Sequence, residues 1–487
     1  MLSTLKPNFV WQIFNDICKI PRPSHHEQMI TKYIVDFANS HSIDCKIDKT
    51  GNILLTKPAT KEMEDCPSIA LQAHMDMVPQ KNEGTKHDFL TDPIQAYVDG
   101  EWVKAKGTTL GADNGVGLAS ALAVLIDPAV EHGPIEVLIT VSEETGMFGA
   151  FGVQPNWLTS QYLINTDSED EGEIFTGCAG GVDFTATFPV TYAVMPEKFD
   201  CYLKLSLKGL RGGHSGCDIH LGRGNAIKLM ARFLAEYAQD IPFRLADING
   251  GSLRNAIPRE AFAEIALSKD DLPKLKSIIN QYNKVLTNEL GHVEPNIEIT
   301  LSEVADDKVK RVLTTENQNR IINWLHTAPN GVVRMSDQLA GVVETSLNLG
   351  ILNIKDNQIS AIFLIRSQID SAKDAVVSTL IAHSQLANAN YEISGGYSGW
   401  EPNLESNLLQ LTKEKYYEIF SEHPKIMVIH AGLECGLFKK AYPNMDMISI
   451  GPTIVSPHSP DEKVNIQSVY RYWELLIAIL KSAKHLK

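Results

Sequence analysis

Long hydrophobic runs are missing from this chain of 487 residues. The longest apolar stretch, around Leu118 to Ile126, closes at Asp127-Pro128 and is too short to span a bilayer. Basic charge is in deficit, with 44 Lys and Arg against 59 Asp and Glu and a formal charge of −15. Nucleic acids and anionic membrane surfaces are gripped by clustered basic residues, so this balance argues against both as partners. Cysteine is sparse: seven residues lie singly at 18, 45, 66, 178, 201, 217 and 435, with no C-x-x-C pair. That spacing offers neither a disulfide framework nor a thiolate zinc knot, and it suits reduced thiols acting as small buried hydrophobes. Repeats and low-complexity tracts are also missing, which removes solenoids and propellers. The start, Met1-Leu-Ser-Thr-Leu-Lys, lacks the pattern of a signal peptide, and a cytoplasmic location is expected.

What remains is an ordinary globular composition, 44% hydrophobic and 21% charged, in a chain long enough for two or more domains. The first 190 or so residues alternate short apolar strands with helical patterns, the signature of an α/β domain with a mostly parallel sheet. Strands are expected at 68–73, 135–141 and 162–166, with a helix opening near Asp113 and carrying Leu118, Ala121, Leu122 and Leu125 on one stripe. From Asp200 the texture becomes α+β, with strands at 202–207, 262–267, 341–351 and 358–369 and helices at 225–237, 271–289 and 372–387. After the glycine-rich stretch at 395–399, read as a hinge, strands at 426–429 and 447–450 and a last helix at 466–486 resume the first pattern. The expected division is a catalytic domain formed by residues 1–192 and 395–487, interrupted by an inserted α+β domain at 193–394.

Five clusters of acidic residues and histidines fall where strands of the first pattern run out. They are His74 with Asp76, Asp113 in Gly-Ala-Asp-Asn-Gly, the pair Glu143-Glu144, Asp167 after Leu-Ile-Asn-Thr, and His458 past the last strand. Ligands of open α/β sheets bind beyond the carboxyl ends of the strands, so all five point to one crevice. Five carboxylates gathered there would repel one another and take up protons unless cations compensate. Two divalent ions about 3.5–4 Å apart would remove the conflict and create a hydrolytic centre. Histidines mixed with carboxylates suit zinc, with manganese or cobalt as alternatives. Asp76, two residues beyond His74 on a strand, faces the same way and could orient its imidazole. Of the adjacent glutamates, one could ligate a metal while the other takes a proton from water. Asp113, among small residues at a helix start, could approach both ions. Taken singly each cluster reads as a cap, a turn or a solvated face, and only their convergence carries weight. The glycine turn at 111–117 has the order GxxxGxG, not the GxGxxG of a dinucleotide loop, and Asp113 within it would repel a pyrophosphate.

Together these motifs, His74-x-Asp76, Gly-Ala-Asp113-Asn-Gly, Ser-Glu143-Glu144-Thr-Gly, Asn-Thr-Asp167 and the late His458, resemble the five-motif signature of the di-zinc aminoacylase/carboxypeptidase G-type metallopeptidases. The segments Glu344-Thr-Ser-Leu-Asn-Leu-Gly and His430-Ala-Gly-Leu-Glu-Cys-Gly resemble the dipeptidases of that family. The resemblance implies a di-zinc exopeptidase-like catalytic domain, an inserted lid and two Zn²⁺ per subunit bridged by Asp113. One zinc would take His74 and Asp167, the other Glu144 and His458. Asp76 would steady His74, and Glu143 would act as general base on the activated water. It further implies cleavage of small unblocked dipeptides, Xaa-His and carnosine-like ones included, by a homodimer formed through the lid. In the lid, His214 matches a histidine that stabilises the oxyanion, often in the neighbouring subunit's site, and Asn255 and Arg366 match weaker positions for the substrate's carbonyl or carboxylate. An N-acyl amino acid deacylase or a carboxypeptidase on the same scaffold is the alternative. The remaining histidines, including His25, are expected at the surface or in loops. His430 and Glu434, spaced i, i+4, form a second-choice metal pair that Gly432 and Gly436 weaken.

Overall fold

The computed structural model describes residues 2–304 and 311–486. The chain forms two compact units, one of residues 1–178, 400–428 and 433–487, the other of residues 179–399 and 429–432. The first is built on an eight-stranded sheet in the order Asp44–Ile47, Ile53–Lys57, Ile135–Thr140, Ile69–His74, Tyr162–Asn165, Asp446–Ser449, Glu173–Cys178, Lys425–Ile429. Its four middle strands run parallel, from Ile135–Thr140 to Asp446–Ser449. The sheet is therefore mixed, because the outer pairings with registers Asp44↔Thr56, Ile53↔Ile139 and Ser449↔Phe175 are antiparallel. Ile69–His74, Ile135–Thr140 and Tyr162–Asn165 are buried at every residue, as strands covered on both faces must be.

The helix Ala112–Ile126 packs against the strand Ile69–His74 and the helix Asn8–Ile17. It is buried almost all round, and its run of Gly, Ala and Ser lets the neighbouring backbones approach closely. Its first turn is not regular: Gly111 is left-handed at φ 69°, and Asp113 and Asn114 have non-helical backbone angles. The helix expected from Asp113 is thus preceded by a bent lead-in that turns the Asp113 side chain out of the helical stripe. The last helix, Ile466–Lys481, places Val469, Tyr472, Trp473, Leu476 and Leu480 in the same core.

The second unit is an antiparallel nine-stranded sheet backed by the helices Ala226–Arg232, Leu272–Leu290, Thr315–Thr327 and Asp370–Leu386. It begins earlier than residue 193, because the strand Gly180–Pro189 pairs with Gln358–Ser367 and Asn390–Tyr397. From Val182 to Phe188 its residues alternate between buried and half-buried, a pattern that the change of texture at Asp200 conceals. Of the stretch expected as a hinge, Gly395 and Gly396 lie in the edge strand Asn390–Tyr397, whose register shifts between Ser394 and Tyr397, and Gly399 stands at the change of unit, which falls at 399/400. Of the cysteines, 18, 178, 201 and 435 are buried, but Cys217 is exposed on the turn that follows His214. Among the described residues no helix is long and apolar enough to cross a membrane.

Candidate metal centre

The parallel strands end together, and their ends deliver the polar residues. His74 is the last residue of its strand, Glu143 and Glu144 follow Ile135–Thr140, and Asp167 follows Tyr162–Asn165. Asp113 arrives from the bent lead-in, and His458 from the loop beyond Ile454–Val455, where it is left-handed at φ 59°.

Asp113 lies between the two histidines. Its Oδ1 is 3.2 Å from His74 Nε2 and its Oδ2 is 3.1 Å from His458 Nε2. His74 Nε2 is also 3.4 Å from Asp167 Oδ1, and His458 Nε2 is 3.0 Å from Glu144 Oε2. The donors thus form two sets that share Asp113: His74, Asp113 and Asp167, and His458, Asp113 and Glu144, each with its ligand atoms within 4.8 Å of one another. A third overlapping set joins His74 to Glu143 and Glu144.

Asp76 is fully buried and does more than face its neighbour. Its Oδ1 lies 3.3 Å from His74 Nδ1 and accepts the Glu143 backbone N–H at 3.0 Å, while Oδ2 accepts from Ser24 Oγ at 2.8 Å and the Glu144 backbone at 3.2 Å. One carboxylate therefore orients a histidine and fixes the turn that carries both glutamates.

Three further residues hold the site, and the sequence reading did not find them. Glu462 accepts the backbone N–H groups of Leu110, Gly111, Ala112 and Asp113 at 2.7–3.3 Å. Burial nevertheless pushes its carboxyl up to about 7, against the pull of those donors. Buried Arg22 grips the opposite polarity of the same segment, donating to the Gly111 carbonyl at 2.5 Å and to those of Met75 and Asp76 at 3.0 and 2.7 Å. Glu27 accepts from the backbone N–H and hydroxyl of Ser142, whose φ is 48°. Glu462 stands four residues after His458, a weak cue, whereas Arg22 and Glu27 lie in the N-terminal segment with no local motif. His25, expected as a plain loop residue, is exposed but places Nε2 at 2.9 Å from Thr145 Oγ1 and Nδ1 at 3.3 Å from Ser142 Oγ.

The electrostatics describe a site short of positive charge. Burial works to lower the His74 pKa, yet Asp167, Asp113 and Asp76 hold it well above the usual imidazole value. Hydrogen bonds to Asp113 and Glu144 push His458 up to about 11. Burial also raises Glu143, Glu144 and Asp167, reinforced by Asp167, Glu434 and Glu144 at Glu143 and by Asp113 at the other two. Asp113 stays low despite its burial, because both histidines bond to it. Glu144 Oε1 is buried with no hydrogen-bond partner among the described residues. A cluster that draws protons onto its histidines and leaves a carboxylate oxygen bare is chemically fitted to divalent cations bound by oxygen and imidazole nitrogen.

Comparison with known proteins gives the same direction. The model of peptidase family M20/M25/M40 matches residues 70–482. The chain belongs to this family. Its members are metallopeptidases, and the mixed α/β fold is theirs. The chain is 55% identical over 480 residues to the cytosol non-specific dipeptidase of Escherichia coli K12, covering 99% of this chain and 98% of that one. It is 53% identical to an aminoacylhistidine dipeptidase of Vibrio alginolyticus whose crystal structure superposes with a TM-score of 0.90, over 99% and 98% of the two chains. The aminopeptidase PepT of Bacillus cereus, 17% identical with a TM-score of 0.61 over 98% and 99% of the chains, shares the fold.

The other candidate residues of this M20 chain lie in the second unit. Arg366, buried on the strand Gln358–Ser367, extends towards Ser215 Oγ at 3.5 Å, Tyr397 Oη at 3.2 Å and His214 Nε2 at 3.4 Å. His214 Nδ1 accepts from the backbone N–H groups of Gly216 and Cys217 at 3.3 and 3.1 Å. Donors thus approach both ring nitrogens, the two backbone N–H groups at Nδ1 and the Arg366 guanidinium at Nε2. Burial and the nearby Arg366 lower its pKa to about 4. Asn255 is exposed and reaches this group through its backbone carbonyl, which accepts from Ser215 N at 2.8 Å. His430 and Glu434 do not form a pair. His430 Nε2 lies 2.8 Å from Ser346 Oγ, whereas Glu434 opens the helix Glu434–Ala441 and accepts from Gln72 and Thr140.

Proposed function

We propose that this M20 peptidase is a dipeptidase that hydrolyses unblocked dipeptides, Xaa-His and carnosine-like ones included, at a centre of two zinc ions. The observation that carries the reading is Asp113, whose two oxygens face two histidines each backed by a further carboxylate. His74, Asp113 and Asp167 would hold one ion, and Asp113, Glu144 and His458 the other. Bound there, the ions would supply Lewis acidity, easing loss of a proton from water at neutral pH and polarising the scissile carbonyl. Manganese and cobalt fit the same donor set.

Glu143 is the group left over when Glu144 is assigned to a metal, and its backbone is fixed by Asp76. As general base it takes the proton of the attacking water, holds it while the tetrahedral carbon forms, and delivers it to the leaving amine. Asp76 keeps the His74 ring in orientation throughout. In the second unit, His214 is assigned to the oxyanion, and Arg366 is suited to pair with the substrate's carboxylate. Asn255 is assigned to the substrate carbonyl. The 55% identity to a protein named as a cytosol dipeptidase supports a cytoplasmic enzyme. A homodimer formed through the second unit is part of the same proposal.

The reading is tested on metal-stripped protein, by following hydrolysis of Ala-His and N-acetyl-Ala-His before and after adding zinc. Cleavage of only the free dipeptide, restored by zinc, is the expected result. Cleavage of only the acetylated compound would move the chain to the deacylase or carboxypeptidase reading.

A further inference from the structure

A line of buried polar side chains runs beneath the metal centre, across the ends of the four parallel strands. Gln72 stands two residues before His74, Asn165 two before Asp167, Thr140 three before Glu143, and Ser449 ends the fourth strand. Sheet register sets Gln72 beside Asn165 and His74 beside Thr140. Their side chains are bonded in sequence. Ser449 Oγ donates to Asn165 Oδ1, Asn165 Nδ2 to Gln72 Oε1, and Gln72 Nε2 to Glu434 Oε2, each at 2.5 Å. The same Glu434 oxygen accepts from Thr140 Oγ1 at 2.9 Å. Asn165 Oδ1 also takes the backbone N–H of Asp167 at 3.2 Å.

The direction of this chain is set by its chemistry. Each amide receives on its oxygen and gives from its nitrogen, so the last member must offer an oxygen able to take two donors. Glu434 meets that need with one oxygen alone. Its side chain is 1% exposed, and Oε1 is buried without a hydrogen-bond partner among the described residues. Burial pushes this carboxyl up to about 7. A buried acid with a bare oxygen costs stability that an apolar residue of similar volume would not, so packing alone does not account for it. What it accomplishes is to lock Gln72 and Thr140, and through Gln72 the amide that holds Asp167.

We propose that Glu434 is a positioning residue of the hydrolytic reaction, anchoring the Gln72–Asn165 chain that aims His74 and Asp167 at one of the two ions. This inference rests on the two-ion reading above. The experiment is zinc titration of the metal-stripped protein, in competition with a chelator and followed by calorimetry, with Tm recorded in parallel. Native protein is expected to bind two zinc ions per chain; fewer would bring down the two-ion reading and this inference with it. With two ions bound by the native chain, Glu434→Leu is expected to weaken one binding step about 10–100-fold and leave the other unchanged. Glu434→Gln keeps an oxygen for both donors and is expected to bind zinc as the native protein does. Should Glu434→Leu fail to fold, Gln72→Met breaks the chain while leaving Glu434 in place, with the same selective loss expected. A fall in Tm with both steps within about 2-fold of native, or an equal weakening of both, would mark a merely structural residue and overturn the proposal. So would a Glu434→Gln variant as impaired as Glu434→Leu.

Discussion

The metal centre of the first unit and the Arg366 group of the second both set histidines among polar side chains, and they drive those histidines in opposite directions. Carboxylates raise His458 to about 11 and hold His74 well above its usual value. Burial together with the Arg366 charge lowers His214 to about 4 and His430 to about 3. The residue type is the same; the sign of the neighbouring charge decides. A histidine among acids keeps a cation, either a proton or a metal, whereas a buried histidine beside a guanidinium stays neutral. The first cluster is thus short of positive charge, whereas the second is built around a guanidinium.

The contrast can be broken experimentally, beginning with its strongest element. Glu143→Gln is expected to retain two zinc ions, measured by metal analysis, while kcat falls about 10²–10⁴-fold. Retained turnover would remove Glu143 as the base. Arg366→Met is expected to act mainly on substrate binding, raising KM about 10–100-fold, because a charge-assisted pair with a carboxylate is lost. The same variant sharpens the electrostatic comparison. NMR titration should find His214 and His430 moved up towards ordinary values, with no change at His74 or His458. Zinc uptake by stripped protein at neutral pH is expected to release protons, since His74 and His458 hold them when no metal competes. Calorimetry in buffers of different ionisation enthalpy reads that release, and its absence would contradict the raised histidines.

The smallest effect concerns stability. Glu434 and Glu462 are both raised to about 7, above their value in an unfolded chain, about 4.3. The fold favours their neutral form, so their contribution is complete below about 4.3 and is lost as pH rises through about 7. Metal-free protein should therefore lose Tm across that interval, and Glu434→Gln, neutral throughout, should flatten the slope.

Much of this was legible in the sequence because it is local. The strands at 69–74, 135–140 and 162–165 are short apolar runs, and their polar neighbours fall at strand ends whatever the rest of the chain does. The limits of sequence reading are equally physical. Strand Gly180–Pro189 belongs to the second unit through its pairing partners, more than 150 residues away, which no local pattern reveals. His430 and Glu434 have helical spacing, but the helix starts at Glu434 and leaves His430 outside it. Cys217 was expected to be buried with the other cysteines, yet it sits on a turn that spends its backbone N–H on His214.

Arg22, Glu27 and Glu462 show why the supporting residues escaped. They ligate nothing and recur in no motif; each acts on groups far away in sequence, such as Glu462 on Leu110, 352 residues earlier. The donor types, their spacing at strand ends and the excess of acid that calls for cations could be read from the chain alone, because these are properties of short segments and of composition. Folding alone set both oxygens of Asp113 against a histidine, one buried carboxylate against four backbone N–H groups, and the Arg366 guanidinium beside His214. Such relations depend on distances between segments, and distance is what a folded chain sets by packing its strands and helices against one another.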